Sequence, residues 1–269
     1  MLTELRPDPA ARLAGPTVFG PYSSTARACQ ARLRADARVR NDLLAAVSEE
    51  TLARLRPLLE RVDLKRKQVL YERNVPMPHA FFIERGAASV FSRSGDGGPI
   101  EVGTLGRGDL VGVPIVLGAE RSPHRCVVQV PGEALRMSAG NLKRAVDELP
   151  HLRDLLLAYV QAVMVQGAQL VVCNMRHGLK ERLARWLLVA QDRLDGHEIP
   201  LTHQSLSRAI GVRRAGVTTA VGRMEREGLI RRDRGRLTIV DRAALERASC
   251  ECYRAIRVEH QRVLCQATQ

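Results

Sequence analysis

The chain has 269 residues and a formal charge of +13 at neutral pH, long enough for two domains with separate cores. The excess lies at the ends: residues 1–40 carry seven basic and three acidic side chains, residues 41–175 sixteen and fifteen, residues 176–269 nineteen and eleven. No apolar run is expected to reach the roughly 18 residues of a membrane span, and no apolar export core opens the chain. The six scattered cysteines (29, 126, 173, 250, 252, 265) argue against a disulfide framework. These bounds predict a cytoplasmic protein with no membrane partner, whose basic last third meets a polyanion.

Residues 1–40 lack sustained periodicity until about residue 26 and read as a flexible arm ending in a short helix. From Asn41 to Arg61, apolar residues at helical spacing (Leu43, Leu44, Val47, Leu52, Leu55, Leu58, Leu59) predict two short helices. Ser48 caps the second, with Glu49 and Glu50 in its first turn where the helix dipole favours acids. Between about 62 and 137 the apolar runs shorten and alternate with turn signals at Asn74-Val-Pro76, Glu84-Arg-Gly86, Gly95 to Gly98 and Gly106-Arg-Gly-Asp109. Strands at that spacing predict a small antiparallel barrel or jelly roll over 41–138.

Helical spacing returns over 139–176. Leu155 to Val172 contains no charge, too apolar for an ordinary surface helix. A packed helix inside one domain is one reading. The other is a homodimer helix, with Leu156, Tyr159, Val160, Val163, Met164, Gly167, Leu170, Val171 and Asn174 at the interface. A further helix, 179–194, leads into the most informative stretch, within a unit spanning 177–248. The tail, 249–269, is helical by composition.

Residues 201–240 read as helix, tight turn, helix and basic hairpin. Leu206, Ala209 and Ile210 give the first helix an apolar face; Val217, Val221 and Met224 do so for the second. Gly211 stands between them, where the crossing often requires a positive φ. The second helix offers Arg213, Arg214, Thr218 and Thr219 outward, side chains suited to phosphates and base edges. Gly216 and Gly222 each cost a helix about 1 kcal/mol, which suggests close approach to DNA or to the first helix. Thr202 and Gln204 at the first helix's start, Arg223, and the wing arginines Arg231, Arg232, Arg234 and Arg236 are placed for phosphate. This is a winged helix-turn-helix, and double-stranded DNA is the expected partner.

Barrel, long helix and winged helix-turn-helix in that order resemble the Crp/Fnr superfamily of transcription regulators. KRKQVLYERNVPMPHAFFIERGAASVF resembles the first barrel strands, GTLGRGDLVGV the approach to the ligand pocket, and ERLARWLL with LTHQSLSRAIGVRRAGVTTAVGRMEREGLI the DNA-binding half. The resemblance implies an α+β fold with a cyclic-nucleotide-binding-like barrel, a dimerisation helix, a pseudo-palindromic promoter site and RNA polymerase as a further partner. The family's base-reading Arg falls on Arg214, but Ala215 and Thr219 stand where Glu and Arg are usual, so the operator does not transfer. Members that bind cyclic nucleotide carry Gly-Glu and then Arg-Ser/Thr-Ala. Here the pocket positions are Gly112, Val113, Arg121 and Ser122, then Pro123, with Arg125 nearby. Val113 offers ribose no carboxylate and Pro123 removes an amide donor, so standard cyclic AMP binding is not expected and the effector stays open.

The superfamily's iron–sulfur sensors need several thiolates near the N-terminus, where only Cys29 stands. Cys250, Cys252, Cys265 and His260 offer ligand types for zinc, but their spacing matches no common motif. They read as ordinary helix residues and Cys173 as core; neither metal nor cofactor is expected. No nucleophile–base pair, Gly-rich phosphate loop or paired metal histidines point to an enzyme. The competing function is a small-ligand-responsive regulatory subunit without DNA binding.

Overall fold

A computed structural model describes residues 39–93, 98–194, 196 and 198–266. The arm lies outside them up to residue 38, but its expected end at 40 is corrected. Val39 is buried and the Arg40 amide donates to Glu84 Oε1 (2.9 Å), so both belong to the barrel. Helices α1 (Asp42–Ala46) and α2 (Glu49–Leu55) follow. Asn41 caps α1 through Oδ1 while its amide donates to the carbonyls of Ile83, Arg107 and Asp109, and Ser48 caps α2.

The barrel strands are β1 (Glu60–Leu64), β2 (Val69–Tyr71), β3 (His79–Ser92), β4 (Ile100–Leu105), β5 (Leu110–Val111) and β6 (Arg125–Ser138). They pair in the order β1-β6-β3-β4, with β2 on β6 and β5 on β3, all antiparallel. The short helix α3 (Val113–Val116) follows β5. The expected Gly95–Gly98 hairpin falls largely on residues outside those described. Glu84-Arg85-Gly86 is not a turn, as its glycine suggested, but a bulge inside β3, where the register to β6 shifts. Gly86 has φ +82°, and a Cβ there would lie 2.6 Å from the Val130 carbonyl oxygen, so glycine is required.

The expected single helix over 139–176 is two: α4 (Ala139–Glu148) and α5 (Pro150–Arg176). Pro150 has no amide to continue α4 and pushes Leu149 out of helical geometry. By length and a mean hydropathy of 1.7 over 18 residues, α5 is apolar enough to cross a membrane, correcting the expectation that no such run exists. In the fold, Leu152, Leu155, Leu156, Tyr159 and Ala162 bury α5 against the barrel core.

The last third has its own core. Helix α6 (Leu179–Arg193), α7 (His203–Ile210) and α8 (Arg214–Arg226) pack Leu183, Leu187, Leu206, Ile210, Val217, Val221 and Met224 together. The wing is β8 (Ile230–Asp233) and β9 (Arg236–Ile239). A third strand, β7 (Glu198–Pro200), joins β9 where only a linker was expected. Helix α9 (Arg242–Ala248) closes the 177–248 unit, and the tail forms α10 (Glu251–Gln266), which runs back along α5.

Candidate nucleic-acid interface

Thr202 caps α7 by accepting from the Ser205 amide, and Gly211 ends it with φ +71°, the left-handed turn the sequence required. From α6, Arg182 donates to the Ile210 carbonyl, tying α7's last turn to the scaffold. Helix α8 then buries Val217, Val221 and Met224 and turns its opposite face to solvent.

On that face Arg213 is the N-cap, one residue before the helix rather than within it, and Arg214 is the first helical residue. Both are exposed. Among the described residues neither side chain has a hydrogen-bond or ion-pair partner. Two exposed guanidinium groups at the positive end of a helix repel one another and the dipole, an arrangement that favours an anion between them. Thr218 donates back to the Arg214 carbonyl (3.0 Å) and lies 3.0 Å from His203 Nδ1, a neighbour sequence reasoning missed; Thr219 donates to the Ala215 carbonyl (3.2 Å). Thr202, His203, Arg214, Arg232 and Arg236 line one groove of about 200 Å³ between helix and wing. Gln204 is exposed beside it.

Three arginines expected on phosphate have protein partners instead. Arg223 pairs with Glu227 (3.1 Å), Arg232 with Glu225 (2.5 Å) and Arg236 with Glu198 (2.9 Å). The bonds from Arg232 hold the Glu225 carboxyl below its usual range, and those from Lys180 and then Arg223 do the same for Glu227. Arg231 and Arg234 have no side-chain partner among the described residues. Of the two reasons inferred for the α8 glycines, close approach to the first helix is not seen. A Cβ at Gly216 would meet Leu179 at an ordinary 3.6 Å, and one at Gly222 nothing within 4 Å.

The pocket positions each have a local engagement. Gly112 has φ +113° and caps α3, whose first residue is Val113. Ser122 is buried and accepts from the His124 amide (3.1 Å). Arg121 donates to the Asn74 carbonyl (3.0 Å), and Arg125 pairs with Glu72 (2.9 Å). Both arginines are exposed and engaged with these partners.

A larger cleft, of about 640 Å³, lies where barrel, α6 and tail meet; Arg107, Asp109, Tyr159, Arg193, Arg242 and His260 line it. At its base Arg193 Nε donates to Asp109 Oδ2 (2.8 Å), Tyr159 Oη donates to Asp109 Oδ1 (3.0 Å), and Arg193 Nη2 donates to Gln166 Oε1 (2.8 Å). His260 Nε2 lies 3.3 Å from Arg193 Nη2. Burial alone would raise the Asp109 carboxyl, but the charge of Arg193 holds it below the usual range; burial and the same charge push His260 down to about 4. Gly106 allows the closeness, since a Cβ there would meet the Arg193 carbonyl oxygen at 2.4 Å. Sequence reasoning missed this network because its members are up to 154 positions apart and only Gly106-Arg-Gly-Asp109 was visible, as a turn.

The interface residues expected on α5 divide. Leu156, Tyr159 and Val160 are buried in this chain's own core, and Val163 packs against it, so they are corrected from partner-facing to intramolecular. Leu170 is half-buried, while Met164, Gly167, Val171 and Asn174 face outward. The open apolar seam is Leu157, Met164, Val171 and Met175, the last 79% exposed.

Comparison with known proteins agrees with this geometry. The family of Crp-like helix-turn-helix domains matches residues 181–248, and that of cyclic nucleotide-binding domains residues 61–148. The global nitrogen regulator of Synechocystis sp. is 25% identical over 201 residues, covering 70% of this chain and 87% of its own length. Its namesake in Synechococcus elongatus is 23% identical over 214 residues, covering 76% and 96%. Among solved structures, FixK2 from Bradyrhizobium japonicum shares the fold with a TM-score of 0.63 at 14% identity, covering 71% of this chain and 98% of that one. A CRP-family transcriptional regulator from Thermus thermophilus does so with 0.57 at 24%, covering 70% and 96%. A Crp-like reading head behind a cyclic nucleotide-binding fold, in this order, shows that the chain belongs to the Crp/Fnr superfamily of transcription regulators.

Proposed function

We propose that this regulator is a cytoplasmic homodimer that reads a pseudo-palindromic promoter site, with α8 of each copy in a major groove and RNA polymerase as its downstream partner. The observation that carries the reading is the pair Arg213 and Arg214, exposed and unpartnered at the N-terminus of α8. A recognition helix presents that end to base edges, and Arg214 there can make a bidentate contact to guanine. The second copy belongs on α5. Leu157, Met164 and Val171 recur every seven residues with Met175 four further on, a coiled-coil period left open to solvent. The barrel is proposed not to use the standard cyclic AMP site, because Val113 offers no acceptor and Arg121 and Arg125 are engaged elsewhere.

Selecting bound sites from random DNA and measuring the winning duplex against a scrambled one tests this. Arg214→Ala should lose about 1–3 kcal/mol of discrimination per half-site. Arg234→Ala should weaken both duplexes alike and flatten the salt dependence. A cognate preference left intact in Arg214→Ala would remove α8 from the recognition role.

A further inference from the structure

Away from the DNA-reading face, the fold gathers four metal-ligating side chains from two distant segments. Cys173 and His177 are four residues apart at the end of α5, hence on one helix face. Cys250 and Cys252 bracket the start of α10. The three sulfurs and one imidazole nitrogen all lie within 4.8 Å of one another. Cys173 Sγ is 3.5 Å from Cys250 Sγ, and Cys252 Sγ is 3.5 Å from His177 Nδ1. A tetrahedral zinc with Zn–S of about 2.3 Å and Zn–N of about 2.0 Å separates its ligand atoms by about 3.5–3.8 Å, so the set is nearly at ligating distance. The mutual closeness suits one ion rather than a multi-iron cluster, whose thiolates sit on different metals.

We infer that Cys173, His177, Cys250 and Cys252 form a structural Zn²⁺ site joining the end of the long helix to the C-terminal tail. The groups around them are those such a site needs. His177 turns Nδ1 toward the sulfurs while its Nε2 lies 3.2 Å from Glu251 Oε1, the carboxylate–histidine arrangement that fixes a ligating tautomer. Gln169 Nε2 donates to Cys252 Sγ (3.1 Å), and Arg185 Nε donates to Cys173 Sγ (3.2 Å). Arg185 is buried, 5% exposed, and no carboxylate faces it among the contacts described. Three thiolates and Zn²⁺ leave one net negative charge, which this guanidinium neutralises. Sequence spacing concealed the site because only the return of α10 along α5 brings residue 173 to residue 250. Cys250 and Cys252 are therefore not the ordinary helix residues expected, and Cys265 and His260, first grouped with them, are not in the set.

The test uses the full-length protein, purified under reducing conditions and measured for zinc by mass spectrometry. One zinc per chain is expected, retained in Cys265→Ser and lost in Cys252→Ser and His177→Gln. Because loss of a ligand can also unfold the tail, two further readouts apply. Exchange of the wild type with Co²⁺ should give the intense visible bands and sulfur-to-cobalt charge transfer of tetrahedral thiolate cobalt. Glu251→Gln, which keeps every ligand, should weaken zinc against a competing chelator by about 10–100-fold. Wild type that neither holds zinc nor takes up added Zn²⁺ or Co²⁺ would overturn the assignment. So would cobalt bands without thiolate charge transfer, undiminished zinc in Cys252→Ser, or a Cys173–Cys250 disulfide in the reduced preparation. None of these outcomes depends on DNA binding.

Discussion

Replacing Arg193 by Met tests whether the barrel and the reading head are held together by one buried charge pair. The substitution is best made in a His260→Gln background, so that no imidazolium can stand in for the guanidinium. Asp109 then keeps the bonds from the Gly106 amide and the Tyr159 hydroxyl but loses its cation. The paired side chains are 8% and 2% exposed, so water cannot compensate, and removing one partner of such a pair costs about 3–5 kcal/mol. A second route bounds the cost. The carboxyl can escape its charge by taking up a proton, which from an unfolded pKa of about 3.9 costs about 4 kcal/mol at pH 7. The expected loss is therefore about 3–4 kcal/mol at pH 7. At pH 5 the same proton costs only about 1.5 kcal/mol, so about 2 kcal/mol should be regained. The direction follows from the variant's Asp109, whose folded-state pKa now lies above the unfolded one, so that its folded form binds the extra proton and gains stability as pH falls. In the parent, Arg193 holds that pKa down and Asp109 stays charged at both pH values. Urea denaturation of parent and variant at pH 7 and pH 5 reads both quantities. A loss below about 1 kcal/mol at pH 7, or an equal loss at the two pH values, would refute the reasoning.

Met164→Asp should give a folded monomer by light scattering, because Met164 is 65% exposed on the open seam; Val163→Asp should unfold the chain, because Val163 packs on its own core. A dimeric Met164→Asp would move the interface elsewhere. Gly222→Ala should stabilise the protein by about 1 kcal/mol in thermal or urea unfolding, since the new methyl meets nothing within 4 Å; destabilisation would mean that α8 is crowded there. Titration calorimetry with cyclic AMP should show no low-micromolar binding, and such binding with tighter DNA affinity would put Arg121 or Arg125 on the phosphate.

Local patterns in this sequence are legible where the physics is local. The Ser48 cap, the αL glycine at 211, the apolar spacing of Val217, Val221 and Met224, and the wing around Gly235 were all readable because each depends on neighbours within four residues. The long helix was legible only in part. Its uncharged stretch revealed that α5 needs partners on several sides, but not which face goes to the barrel and which to a second chain. Leu156 and Leu157 are adjacent letters, yet one is fully buried and the other 45% exposed. The Arg193–Asp109 pair was illegible because it joins α6 to a barrel turn 84 positions away, and the cysteine–histidine cluster because it depends on where α10 returns, and α10 carries no motif.

The basic charge of the last third was the first pointer to DNA, and the structure refines what it measures. Arg223, Arg232 and Arg236 are each matched by a glutamate at 2.5–3.1 Å, so their contribution to the field is largely cancelled at close range. Arg213, Arg214, Arg231 and Arg234 have no such match among the described residues, and they fall at the start of α8 and along the wing, the two places a groove-bound helix and its wing would touch a duplex. The paired arginines remain available at small cost, because exposed ion pairs are worth about 0–1 kcal/mol and a phosphate can replace the glutamate. Such an exchange places glutamates 198, 225 and 227 beside the backbone, where their repulsion penalises any register that brings phosphate closer. On the proposed docking, the glutamates would limit non-specific grip on the DNA backbone and leave more of the binding to Arg213 and Arg214, which stand exposed at the start of α8.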